Sequence, residues 1–228
     1  MKGLLLKRLA LFAALTVGAA CAGKPAATTA PQPATADHDV FRVKLNDPAG
    51  IAKARRDSAR LPYTAADIAF MTGMISHHAQ AIKMSNWAPD RGASDAIRRL
   101  TARIINAQTD EIVIMQQWLA DRNQPVPEPN PAGMTMKMGD HEMHHLMPGM
   151  LSEEQMAQLE KARGKEFDRL FLTFMIQHHK GAVSMVNDLF ATPGAGQDEI
   201  VFKFASDVHT DQTTEIARME RMLEALNP

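Results

Sequence analysis

From Thr64 onward, apolar residues recur every three or four positions, in runs separated by Pro- and Gly-rich breaks. That is the period of amphipathic helices. The pattern predicts a helix over about 64–88, capped by Thr64 and stopped by Pro89 and Gly92. A second covers about 93–121 and carries "LTARIINAQTDEIVIMQQWL", after which "NQPVPEPNPAG" breaks helical structure. Ser152, with Gln155 three residues on, makes a capping box for a short helix. Gly164 separates it from a long helix over about 165–191, "TPGAG" interrupts again, and a last helix fills about 197–226. No alternating run is long enough to predict a sheet.

The halves repeat. Asp67, Met74, His77, His78, Ala81 and Met84 match Asp168, Met175, His178, His179, Ala182 and Met185 at a constant offset of 101. Gln108, Glu111, Ile112 and Met115 match Gln212, Glu215, Ile216 and Met219 at an offset of 104. A duplicated helical hairpin cannot bury its apolar stripes alone, so two should pair. The expected fold is all-α, a four-helix bundle over 61–228 with a Met/His-rich connection at 123–151.

The chain before the bundle changes the picture. Lys2, Lys7 and Arg8 precede an apolar run from Leu9 to Val17 that is too short to span a bilayer, so residues 1–20 read as a secretory signal. "VGAAC" resembles a bacterial lipobox, with Cys21 as the lipidated mature N-terminus and Gly18 where leucine is usual. Residues 21–60 read as an Ala/Pro-rich tether and extension. The expected place is the periplasm, free or held to a membrane by that lipid. With one cysteine, the mature chain makes no internal disulfide. A net charge of −1 and 5% aromatic residues give no basis for nucleic-acid binding.

Candidate chemistry lies in the sixteen methionines and nine histidines. At about 100° per residue, Asp67, Phe70, Met71, Met74, His77, His78, Ala81 and Met84 share one arc, with Thr72, Gly73, Ser76, Gln80 and Lys83 opposite. The second copy repeats this, with Gln177, Gly181 and Ser184 outward. Two readings stay open for the interior. In one, His77, His78, His178 and His179 give protons to Glu111, Glu215, Asp67 or Asp168, and the methionines fill the core. In the other, the histidines with Met74, Met84, Met175 and Met185 bind metal, and the carboxylates stand behind them. Thioether plus imidazole favours Cu(I) or Ag(I). Asn86 and Asn187 read as structural, and Asp67 also suits a first helical turn.

The connection concentrates the same chemistry. Met134, Met136, Met138, His141, Met143, His144, His145, Met147 and Met150 fall within seventeen residues. Covering methionines would not explain the intervening Lys137, Gly139 and Asp140, so this segment reads as a soft-metal site that the helices do not need for packing. Free imidazole binds a proton near pH 6.5, so histidine-held metal should weaken in acid while thioether-held metal persists.

The "D…MI-HH--A--M" helix followed by "Q--EI--M", twice over, resembles the bacterial family labelled domain of unknown function 305. "MPGMLS" and "GKEFDRLF" share its look, and the resemblance covers roughly 64–227. It implies a ferritin-like four-helix bundle and, from a periplasmic copper-binding member, an association with copper. A di-iron centre would need Glu-x-x-His on two core helices, and the only such string, Glu142 to His145, lies in the connection. No nucleophile or acid-pair constellation suggests an enzyme. The expected function is binding of copper, as Cu(I) or its mimic Ag(I), through Met and His ligands, in buffering, tolerance or transfer to or from an envelope donor or acceptor protein. The alternative is a metal-independent structural or partner-binding bundle.

Overall fold

A computed structural model of the chain describes residues 62–226 together with Pro48, Gly50 and Ala52, except Gly139 and Asp140, and of 135–144 it gives the backbone alone. The signal segment, Cys21 and the tether lie outside the described residues. The helices are α1 (Ala65–Asn86), α2 (Asp95–Asp121), α3 (Glu153–Lys161), α4 (Gly164–Ala191) and α5 (Glu199–Leu226). No helix among the described residues is long and apolar enough to cross a membrane.

Local chemistry sets the helix starts. Thr64 and Asp67 form a capping box: the Asp67 N–H donates to Thr64 Oγ1, and Asp67 Oδ2 accepts the Thr64 N–H at 2.7 Å. Ser94 caps α2, and Ser152 with Gln155 caps α3 as a second box. Asp198 caps α5 through the Ile200 and Val201 amides. α1 packs on α2, α4 on α5, and α1 on α4, so the first helix of each hairpin is central. α2 and α5 make no comparable contact with each other.

The all-α expectation holds with one local correction. Met134–Met138 (β1) and His141–His145 (β2) pair as an antiparallel ribbon inside the connection, in the register Met134↔His145, Met136↔Met143 and Met138↔His141. Met134–Met138 does alternate apolar and polar residues, but over only five positions, and His141–His145 does not, so the sequence alone predicts no ribbon here.

A second correction concerns the outer faces. Gly73, Ser76, Gln80 and Gly181 are buried, not solvated, because residues 147–151 run across the α1–α4 seam. The Leu151 N–H donates to Gln80 Oε1 at 2.6 Å, and Gln80 Nε2 donates to the carbonyls of Leu151 and Pro131. Gln177 Nε2 reaches the Gly149 carbonyl at 3.3 Å. Gly149 turns the strap at φ 78°, and a Cβ on Gly181 would fall 2.0 Å from the Pro148 carbonyl oxygen. The helices do depend on this end of the connection.

Candidate metal site

The bundle core consists of two apolar clusters with a polar layer between them. One cluster gathers Ala81, Met84, Ile97, Leu100, Phe171 and Met175, the other Phe70, Met74, Met115, Trp118, Ala182 and Val208. His77, His78, His178 and His179 lie between these clusters in sequence on α1 and α4, and all four are fully buried. The repeat brings the two adjacent-histidine pairs together, with the His77 and His178 ring centroids 3.8 Å apart.

Each ring has a different hold on its surroundings. His77 Nε2 donates to the Pro148 carbonyl at 3.0 Å, and His178 Nε2 to the His77 carbonyl at 3.1 Å. His179 Nε2 donates to Glu215 at 2.8 Å. His78 Nε2 lies 2.7 Å from Glu111 but at an angle short of a hydrogen bond. A carbonyl can only accept, so His77 and His178 carry their proton on Nε2 and a lone pair on Nδ1. All four Nδ1 atoms are buried without a hydrogen-bond partner. A ring anchored through one N–H with its other nitrogen bare is how proteins orient metal-binding histidines.

Charge follows burial. Burial above all, with the neighbouring His78, pushes His77 down from 6.5 to about 3. Burial and then the charge of His77 push His178 well below the ordinary imidazole value. The expectation that acid protonates these imidazoles near pH 6.5 therefore does not fit this inner pair.

Met74 belongs to one apolar cluster, Met84 and Met175 to the other, and half-buried Met185 packs against the first. Of the four acids placed behind the histidines, Glu111 and Glu215 stand there and Asp67 and Asp168 do not. Asp67 lies ten residues from His77, about 15 Å along a helix. Its Oδ1 takes the Gly196 N–H at 2.7 Å, and Asp168 takes the Ser94 N–H at 3.2 Å. Each of these aspartates clamps the turn of the opposite hairpin. Sequence reading missed Asp198, which accepts from Trp118 Nε1 at 3.1 Å and pairs with buried Arg122. Those partners are 80 and 76 positions away, beyond any local pattern.

In the connection, the register places Met134, Met136, Met138, His141, Met143 and His145 on one face of the ribbon, and His144 on the other with Thr135, Lys137 and Glu142. Met147 and Met150 are buried in the strap, where Met147 lies against Gly73. Among the described residues, no three His, Cys, Asp or Glu side chains form a ready-made metal group.

On the side away from the strap, a cavity of about 270 Å³ opens between α2 and α5. Its lining includes Gln108, Glu111, Asp211, Gln212 and Glu215, with Arg103 and Arg218. Partial burial and the charges of Glu111, Asp207 and Glu215 push the Asp211 carboxyl up.

The family model described as "Domain of unknown function (DUF305)" matches residues 67–223. A DUF305 structure from Streptomyces coelicolor, a candidate secreted protein, is 27% identical, covers 71% of this chain and 94% of its own, and has a TM-score of 0.59. A DUF305 fragment from Deinococcus radiodurans is 30% identical over 72% of this chain and 99% of its own, TM-score 0.58. CopM in a Cu(II)-bound form is 28% identical over 70% of this chain and 96% of its own, TM-score 0.55. Uncharacterized protein L153 of Acanthamoeba polyphaga mimivirus is 39% identical over 56 residues, 25% of this chain, and the match spans only 37% of that curated relative's length. With the family model spanning more than half of its length, the chain belongs to the DUF305 family.

Proposed function

We propose that the chain is an exported copper-binding protein that takes Cu(I), or Ag(I) as its mimic, through imidazole and thioether ligands. It buffers copper, or passes it to a partner protein, in the cell envelope, and it is a binding protein with no catalytic step of its own. The observation that carries this reading is the set of four buried Nδ1 atoms without hydrogen-bond partners, three of them on rings held through Nε2 by a carbonyl or a carboxylate. A neutral imidazole lone pair in an apolar interior is a good ligand for a soft monovalent ion. The Met/His face of the ribbon offers a second soft site. Support from outside the chain is that CopM, 25–28% identical, has been solved with Cu(II), Cu(I) and silver bound.

A competition titration of residues 22–228 with a chromogenic Cu(I) chelator tests the reading. At least one Cu(I) per chain should be withdrawn from the chelator. No withdrawal would leave the metal-independent bundle, whose observation is the contact of His179 with Glu215 and of His78 with Glu111. The variant His78→Gln/His179→Gln separates the two readings further. Lower stability with unchanged Cu(I) uptake assigns these two rings to packing alone, and lower uptake assigns them to the metal.

A further inference from the structure

The α2–α5 cleft has chemistry that the soft-metal reading does not use. Gln108 and Gln212 stand at the same position of the two repeats and are 3% and 4% exposed. Gln108 Oε1 and both polar atoms of Gln212 are buried with no hydrogen-bond partner, yet both residues line the cavity. Leaving such a group unpaired costs about 1–3 kcal/mol, so a structure that holds a matched pair of them along one cavity calls for an occupant. One turn along each helix, Glu111 and Glu215 add a second matched pair, each backed by a buried histidine at 2.7 and 2.8 Å.

We propose that this cleft is a cation site separate from the imidazole cluster, an oxygen-lined seat for a hard divalent ion, formed by the carboxylates of Glu111 and Glu215 and the amide oxygens of Gln108 and Gln212. The donor set decides the class. The lining contains no sulfur, and carboxylate with amide oxygen suits Mn(II), Ca(II) or Mg(II) over Cu(I). The charge balance agrees: Glu111, Asp211 and Glu215 outnumber Arg103 and Arg218 around the cavity. Among the described residues no three His, Cys, Asp or Glu side chains already converge on one point, so the carboxylates of this cleft must draw together to close on an ion. The two amides complete the shell. Because α2 and α5 pack mainly on their own hairpin partners, their side chains can close on an ion without repacking the core. The histidines behind the glutamates then hold the ligands in place, whatever the imidazoles themselves bind.

Mn(II) is the probe, because its free aqua ion has a sharp electron paramagnetic resonance signal that is lost on binding. Residues 22–228 should bind one Mn(II) per chain. The variant Gln108→Leu/Gln212→Leu should weaken binding at least about tenfold, while helical circular dichroism confirms that it folds. Failure of the wild-type chain to take up Mn(II) at millimolar concentration would overturn the proposal. So would equal binding by the leucine variant, which would place the ion on surface carboxylates elsewhere. Cu(I) competition on the same two samples keeps the readings apart. Loss of Mn(II) with Cu(I) uptake intact confirms a separate site, and absence of Cu(I) uptake with Mn(II) retained would remove the copper reading and leave this one.

Discussion

The two hairpins carry one motif and put it to different use. Both histidine pairs reach the middle of the bundle, and both outer rings face a glutamate of their own hairpin. The inner rings differ: His178 Nε2 donates to the backbone of His77, whereas His77 Nε2 donates to Pro148. Position 80 in the first copy is a glutamine that makes two hydrogen bonds to the strap at Leu151 and a third to the Pro131 carbonyl, and its counterpart, Gly181, is a space into which the strap fits. One chain has one connection, so it can cross the α1–α4 seam only once and must treat the copies unequally. The repeat fixes where the rings go, and the connection fixes what His77 touches.

The sharpest break in the symmetry is at the starts of α2 and α5. Ser94 and Asp198 are equivalent caps, but Asp198 also accepts from Trp118 and faces buried Arg122. Asp198→Ala should cost about 3–5 kcal/mol, because it removes the carboxylate that pairs with the buried Arg122 guanidinium. Ser94→Ala should cost about 1 kcal/mol, the worth of a cap alone. Urea unfolding of the two variants measures the difference, and equal losses would mean that the Arg122 pair adds nothing to the cap.

Next in size is a pH effect shared by the inner rings. In the folded chain His77 gains a proton only at about pH 3, and His178 likewise lies far below 6.5. Below pH 6.5 the unfolded chain takes up protons that the folded chain refuses, so stability falls as pH drops from about 6.5 toward 3. Each ring contributes up to about 1.4 kcal/mol per pH unit in that window. Urea midpoints of the metal-free chain should be nearly level from pH 8 to 7 and decline steeply from 6 to 5. A level profile through pH 5 would show that the core admits protonated imidazole.

A smaller and more local effect compares two glycines. Gly181→Ala pushes a Cβ into the Pro148 backbone and should cost about 1–3 kcal/mol through displacement of the strap. Gly73→Ala meets only methionine side chains, Met147 at 3.4 Å and Met185 at 3.6 Å, and should change stability by less than about 1 kcal/mol. Thermal melts decide, and a Gly73→Ala loss as large as that of Gly181→Ala would show that the strap is equally tight over both helices.

Much of this was legible in the sequence, for physical reasons that can be named. Helical period and caps placed Thr64, Ser152 and the helix ends within about two residues, because those signals are local. The constant offsets brought the four histidines together, since a duplicated hairpin has few ways to pair. Legibility failed where a partner lies far along the chain. Asp67 and Asp168 sit on the helix arc that faces the core, yet they serve the opposite hairpin's turns. Gln80 and Gly73 read as a solvated face because nothing local announces that residues 147–151 cover it. Met74 and Met175 occupy one position of the two repeats, yet they pack in different apolar clusters, a difference the repeat does not announce.

The smallest effect belongs to the segment that has no copy. His144 and His145 are neighbours in sequence and looked equivalent as ligands, but pairing of Met134 with His145 and Thr135 with His144 puts them on opposite faces of the ribbon. Successive strand residues alternate faces, and cross-strand partners are about 4.5–5.5 Å apart, within the span of two ligands on one soft ion. If the methionine face binds Cu(I), His145→Ala should weaken the ribbon's share of Cu(I) binding, and His144→Ala should leave it unchanged. The expected loss is about tenfold or less, roughly 1.4 kcal/mol, because Met134, Met136, Met138 and Met143 remain on that face. Cu(I) competition in a His78→Gln/His179→Gln background reduces the contribution of the buried layer to the comparison. Equal losses from the two alanine variants would mean that the ribbon opens on binding and that its register plays no part in choosing ligands.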